Sequence, residues 1–179
     1  KDHMVEAMNL SSGMSVLDCT LGLGTDAVVA SFIVGEKGKV VGLESSELIY
    51  LISKHGLENF RHDNIDIQKS LKCIEVININ YLEYMRNIED NSFDIVYFDP
   101  MFRRAIEDSA NFKPMREIAN MQELTKGALY EALRVAKKRV VIKETKGSRE
   151  FARLDIIKLY GGKYSSINYG VIEKGCKYE

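Results

Sequence analysis

The sequence contains no tryptophan, two prolines (Pro100 and Pro114), three histidines and three cysteines. Cys19, Cys73 and Cys176 are odd in number and form no CxxC pair. That argues against a disulfide scaffold or a zinc ribbon and fits a reducing cytoplasm. His3, His55 and His62 make no HExxH pair, so nothing here points to a metal-centred mechanism. No apolar run approaches the ~20 residues of a membrane span, and no signal peptide opens the chain. A cytoplasmic location without a membrane partner is therefore expected. No Pro-rich or Ser-rich linker and no internal repeat divides the sequence. It begins at Lys1 rather than at methionine, as a piece of a longer protein would.

The 179 residues are 45% hydrophobic and 28% charged, the composition of one soluble globular domain. The net charge of −1 hides an asymmetry. Residues 1–100 carry 8 Lys/Arg against 16 Asp/Glu, whereas residues 101–179 carry 17 against 10. A basic half on a near-neutral protein can form a local anion-binding face.

Short apolar runs recur at regular intervals. SVLDCTL (15–21), KVVGLES (39–45), IEVININ (74–80), FDIVYF (93–98) and RVVIKE (139–144) read as strands. Helical spacing separates them at 26–34, 46–60, 81–88 and from Met115 to about Lys138. Alternation of this kind specifies an α/β fold, a mostly parallel sheet with helices on both faces. Two further strand candidates, 156–160 and 164–173, are joined by Gly161-Gly162. That junction is too short for a crossover helix, so they should form an antiparallel hairpin at the sheet edge. Tyr160, Tyr164 and Tyr169 then read as hairpin packing. Parallel sheets bind ligands beyond the carboxyl ends of their strands, which directs attention to loops 18–26, 44–46, 80–81 and 99–104.

The first of these loops is DCTLGLGTDA (18–27). Gly22 and Gly24 let a ligand approach the backbone, and the helix that follows offers free N–H groups. Glu44 lies 20 residues after Gly24, at the end of the second strand. A carboxylate there can accept hydrogen bonds from both ribose hydroxyls, so the pair of features indicates an adenosine-containing cofactor. Gly22-x-Gly24-x-x-Ala27 also satisfies the dinucleotide fingerprint, which leaves NAD as an alternative. Asp18 and Asp26 disfavour it. Carboxylates beside the glycines repel a pyrophosphate and attract the cationic sulfonium of S-adenosylmethionine.

The fourth strand runs into Asp99-Pro100-Met101-Phe102, which resembles the DPPY motif of amino-group methyltransferases. An exocyclic amine on a base is a weak nucleophile, because its lone pair is conjugated with the ring. The Asp99 carboxylate and the Pro100 carbonyl can each accept one N–H and so align the lone pair. Proline adds no competing N–H and stiffens the turn. Phe102 can stack on the base, worth roughly 1–3 kcal/mol.

LDCTLGLGTDA (17–27), DIVYFDPMF (94–102) and KRVVIK (138–143) together resemble the class I S-adenosylmethionine-dependent methyltransferases of the ribosomal small-subunit RNA methyltransferase J group. The family pattern runs close to DATAGLGRDA, then DVVYLDPMFP, then KRVVVK. The resemblance implies a Rossmann-like, seven-stranded methyltransferase domain over 1–179, lacking the family's N-terminal extension. It also implies methyl transfer from S-adenosylmethionine, leaving S-adenosylhomocysteine, to the N2 amine of a guanine in small-subunit ribosomal RNA. The partner would be that RNA or its assembly particle. The family's cofactor contacts fall on Thr25, Asp26, Glu44, Ser45 and Asp99, with a further one near Asn80 and Tyr81. Thr25 and Ser45 stand where the family has arginine, Arg103 where it has proline, and Glu144-Thr145 where it has Arg-Pro. These departures surround the mouth of the expected site.

Arg103, Arg104 and Lys143 sit on the predicted active face and are candidates for phosphate contacts that hold an RNA in register. A target guanine inside a helix would have to be flipped out of its stack. Two other readings compete with the methyltransferase: an NAD-dependent oxidoreductase using the same glycine loop, and a non-catalytic cofactor-binding RNA module.

Overall fold

A computed structural model describes residues 2–100 and 123–175. Phe102, Arg103, Arg104, Pro114, Cys176 and the first part of the helix expected from Met115 lie outside the described residues. Seven strands form one sheet in the order β3-β2-β1-β4-β5-β7-β6. They are β1 (Ser15–Asp18), β2 (Lys39–Glu44), β3 (Ile74–Asn78), β4 (Phe93–Phe98), β5 (Ala136–Thr145), β6 (Lys158–Tyr160) and β7 (Ile167–Glu173). The first five are parallel to one another, and β7 is antiparallel to both β5 and β6. The chain therefore winds outward from β1 to β3, returns, and continues from β4 on the other side of β1. This reversal puts a crevice between the tips of β1 and β4, where α/β sheets bind their ligands.

Strand alternation divides the core into two layers. Val16, Val40, Ile95, Tyr97, Val141 and Val171 face α1 (His3–Met8), α2 (Thr25–Val34), and Leu57 and Leu71 of α3 (Glu47–Asn59) and α4 (Ile65–Lys72). Leu17, Val41, Phe98, Val140, Ile142 and Ile172 face α5 (Tyr81–Arg86), α6 (Lys126–Val135) and α7 (Glu150–Arg153). Helix starts follow from their caps. Asp2 accepts from the Met4 and Val5 amides, Asn64 from Asp66 and Ile67, Asn80 from Leu82 and Glu83, and Thr125 from Ala128. Among the described residues no helix is long and apolar enough to cross a membrane.

Three expectations about elements change. The helix expected to run to Lys138 ends at Val135, and Ala136 passes straight into β5 opposite Phe93. Burial of Ala136 in the sheet overrides the helical spacing of 136–138. The β6–β7 connection spans 161–166 rather than a Gly-Gly turn. The Ser165 hydroxyl accepts from the Ile167 amide, and the Ser165 amide bonds the Gly162 carbonyl, so local bonds replace ladder pairing there. Tyr160 and Tyr169 pack on the core, but Tyr164 is 92% exposed and packs on nothing apolar. The short helices α1, α4 and α7 were not apparent from periodicity, which needs a longer window than four to eight residues provide.

Gly170 lies in β7 under α7, where a Cβ would come within 2.6 Å of Phe151 Cε1 and 2.8 Å of Ile156 Cγ2. Both neighbours are buried and have nowhere to retreat. Gly170→Ala should therefore destabilise the fold by about 1–3 kcal/mol, read from the denaturant midpoint. A midpoint equal to that of the unmodified protein would show that this layer is loosely packed.

Candidate active site

The loop after β1 is shaped by its own polar atoms. The Thr20 amide donates to Asp18 Oδ1 at 3.0 Å, turning the chain away from the sheet. Gly22 and Gly24 then adopt left-handed backbone angles, φ +53° and +78°, and Gly24 caps α2 without a side chain. Across the crevice, Glu44 ends β2. Its Oε2 accepts from the Gly22 amide at 3.2 Å and its Oε1 from the Ser46 amide at 2.8 Å. Each carboxylate oxygen thus has one fixed donor and free capacity towards the crevice. Asn78 of β3 donates to the Glu44 carbonyl at 2.8 Å, joining the tips of β2 and β3.

The β4 tip is held from two sides. The Asp99 amide donates to Thr20 Oγ1 at 2.6 Å, tying it to the β1 loop. Lys143 Nζ, from the neighbouring β5, lies 2.8 Å from both Asp99 Oδ2 and Asp26 Oδ2. The Tyr97 hydroxyl donates to the same Asp26 oxygen at 2.6 Å. On the opposite layer the Tyr81 and Phe98 rings meet edge to face, 5.4 Å between centroids.

These tips enclose a cleft. Of the residues expected from sequence, Gly22, Glu44, Ser45, Tyr81, Asp99 and Pro100 line it. Asp18, Gly24, Thr25, Asp26, Asn80 and Lys143 support it from behind or beside. Asp18 is 2% exposed beneath the loop, Thr25 begins α2, and Asn80 uses its side chain to cap α5. Lys143, expected to meet RNA phosphate, has its ammonium engaged by two carboxylates. Sequence reasoning missed Cys19, Thr20, Leu43, Ile49, Ile79, Phe98 and Leu124, which complete the lining. Thr20 was detectable as the hydroxyl that precedes the glycines of the first loop. The apolar ones carry no signal that separates a ligand wall from core.

Burial dominates the electrostatics. It raises Asp18 to about 8, assisted by the nearby Asp26 and Asp99, against the Thr20 hydrogen bond and Lys143. Asp18 is thus mostly protonated at neutral pH. Burial raises Asp99 above the ordinary carboxylate range as well, and Lys143 works against that rise. For Lys143 burial disfavours the charge, but the two carboxylates outweigh it and hold the ammonium above the ordinary lysine range. Burial also pushes the Cys19 thiol well up, so this residue behaves as a small apolar wall.

One wall is apolar and aromatic, the rim carries an anchored carboxylate, and a second carboxylate stands at the switch point. This arrangement fits a nucleoside that carries a cationic group rather than a diphosphate. Fold and cleft together define a Rossmann-like methyltransferase. Residues 1–163 match the family model described as "Putative SAM-dependent methyltransferase", and the chain belongs to that family. It is 39% identical over 173 residues to the uncharacterized protein YpiP of Bacillus subtilis, covering 97% of this chain and 67% of that one. It is 31% identical to a Ribosomal RNA small subunit methyltransferase J of Coxiella burnetii, covering 90% of this chain and 63% of that one. The crystal structure of the SAM-dependent methyltransferase NGO1261 from Neisseria gonorrhoeae superposes with a TM-score of 0.69 at 24% identity, over 97% of this chain and 67% of that one. The chain thus spans between half and about two thirds of the length of the curated relatives it matches.

The Asp18 environment has a measurable consequence. The unfolded carboxyl ionises near 3.8, whereas the folded one keeps its proton up to about 8. Between those values the native state binds more protons than the unfolded state, so this group lowers stability as pH rises. Asp18→Asn keeps the acceptor for Thr20 and cannot ionise. Its stability relative to the unmodified protein should climb steadily from pH 4 to pH 8 in denaturant melts. A pH-independent difference would refute the assignment.

Proposed function

We propose that this protein methylates the exocyclic N2 amine of a guanine in small-subunit ribosomal RNA, with residues 1–179 acting as one catalytic domain. The observation that carries this reading is the position of Asp99 and Pro100. They stand together at the switch point, on the same cleft as Glu44. Relatives 28% to 33% identical bear the name Ribosomal RNA small subunit methyltransferase J, which favours this RNA over other amines.

The residues fit S-adenosylmethionine, which when bound supplies a methyl group on a sulfonium. Glu44 takes the ribose hydroxyls, because both its oxygens are already fixed by the amides of Gly22 and Ser46 and need no reordering. Leu43, Ile49 and Ile79 give the adenine an apolar slot, and Ser45 lies at its edge. Asp99 and the Pro100 carbonyl accept the two N–H bonds of the incoming amine, turning its lone pair towards the methyl group. Alignment of this sort lowers a barrier without acid–base assistance, since the donor is already activated. The proton released by the methylated nitrogen passes to Asp99 or to water.

Glu44→Ala should weaken calorimetric binding of S-adenosylhomocysteine by roughly 10–100-fold, the scale of one or two charged hydrogen bonds. Affinity equal to that of the unmodified protein would remove Glu44 from the ribose. The direct test of function is mass mapping of modified nucleosides in ribosomal RNA from cells with and without the protein. Loss of one N2-methylguanosine, restored by the unmodified gene and not by Asp99→Ala, is the expected result. An unchanged modification pattern would refute the substrate, and full rescue by Asp99→Ala would refute the mechanism.

A further inference from the structure

Lys143 is placed by the sheet itself. Phe98 pairs with Ile142 across β4 and β5, so the next residues, Asp99 and Lys143, emerge side by side at the strand tips. Alternation turns both towards α2, where Asp26 waits in its first turn. The lysine side chain is 21% exposed and its ammonium bridges the two carboxylates at 2.8 Å each. Asp26 is itself fixed by the Tyr97 hydroxyl, which is buried in the same layer. Among the described residues Lys143 alone donates to the Asp99 carboxylate, and it does so through Oδ2. Asp99 also lines the cleft, and no described residue donates to its Oδ1.

We infer that Lys143 is a positioning residue: with Asp26 and Tyr97 behind it, it fixes the rotamer of Asp99 and keeps that carboxylate in its charged, acceptor-only form, so that Oδ1 can receive an amine N–H. The catalytic half of this inference rests on the proposed role of Asp99, whereas the control of its charge does not. The chemistry needs an acceptor. A protonated Asp99 would offer an O–H to the amine lone pair, which are the electrons required for attack on the methyl carbon.

Among the described residues the groups that face Asp99 are Lys143, Asp26, Asp18, Tyr97, Tyr169 and Glu144. Near pH 7 Asp18 is mostly protonated and both tyrosines are neutral, so they contribute little charge. Glu144, raised to about 7 chiefly by burial, is partly ionised and adds to the repulsion. Burial and Asp26 favour the protonated form of Asp99, and among the described residues Lys143 is the cation that opposes them. Removing it leaves an uncompensated carboxylate beside another carboxylate.

The test is a pH titration of 13Cγ-aspartate-labelled protein by NMR, with the Asp99 signal assigned by its loss in Asp99→Asn. In Lys143→Met the Asp99 midpoint should move up by roughly 1–3 pH units, and in Lys143→Arg it should stay near the unmodified value. Asp26→Asn removes the competing carboxylate and should move the midpoint down, which keeps the inference testable if Lys143→Met does not fold. A midpoint unmoved in both Lys143→Met and Asp26→Asn overturns the inference whether or not the protein methylates RNA. In turnover with small-subunit RNA, the acid limb of kcat should rise in pH with Lys143→Met while KM for RNA holds. A raised KM with an unmoved acid limb would assign Lys143 to the RNA backbone instead. Conversely, Asp99→Ala with full activity would sink the proposed function and leave the titration result standing.

Discussion

The ammonium of Lys143, shared between Asp26 and Asp99, organises the carboxyl end of this sheet. It joins three elements that are distant in sequence: the first turn of α2, the tip of β4 and the tip of β5. Without a cation there, two carboxylates would face each other across the crevice where the strand order reverses. Their repulsion in a partly dry setting would splay α2 from β4 or protonate one of them. A partly buried ion pair of this kind gives weak net stability, since desolvation offsets much of the attraction. Its value lies in fixing geometry. It sets which oxygen of Asp99 the ammonium occupies.

The same end of the sheet is braced by backbone donors. Thr20 accepts the Asp99 amide, Glu44 accepts the Gly22 and Ser46 amides, and Asn78 donates to the Glu44 carbonyl. Apart from the Ser46 amide, which closes the turn after β2, each bond crosses from one strand tip to a neighbouring tip or loop. The cleft is therefore a set of mutually satisfied loops rather than a gap between them, and its polar groups need little reorganisation to meet a ligand. The apolar wall is equally determined by the fold. Leu43 and Phe98 are fully buried core residues near the ends of their strands, so the ligand wall is the margin of the core.

The parallel order, the edge hairpin and the identity of the tips were legible in the sequence, because each rests on a local signal. The strands read as short apolar runs, and Asp18, Glu44 and Asp99 are acids at the ends of such runs. What periodicity could not reveal was where side chains point once the strands pair. Lys143 reads as one of several basic residues near β5, and only the β4–β5 register shows that it emerges beside Asp99. Asp18 reads as a ligand contact because it precedes the glycines. Burial of the strand tip, a property of the assembled sheet, puts it beneath the loop instead of on the cleft. Ala136 to Lys138 illustrate the same limit, since their helical spacing yields to pairing with β4.

Charge at the site then explains the choice of ligand more sharply than motif spacing does. The glycine loop is compatible with a dinucleotide, and a helix N-terminus ordinarily favours phosphate. Here that terminus begins with Asp26, and Asp99 lies within the reach of one shared lysine. Among the described residues two carboxylates are set against one ammonium there, a local excess of acidic groups. A pyrophosphate would add two more negative charges to it. A sulfonium would instead neutralise it, and transfer of its methyl group would remove the positive charge that favours binding.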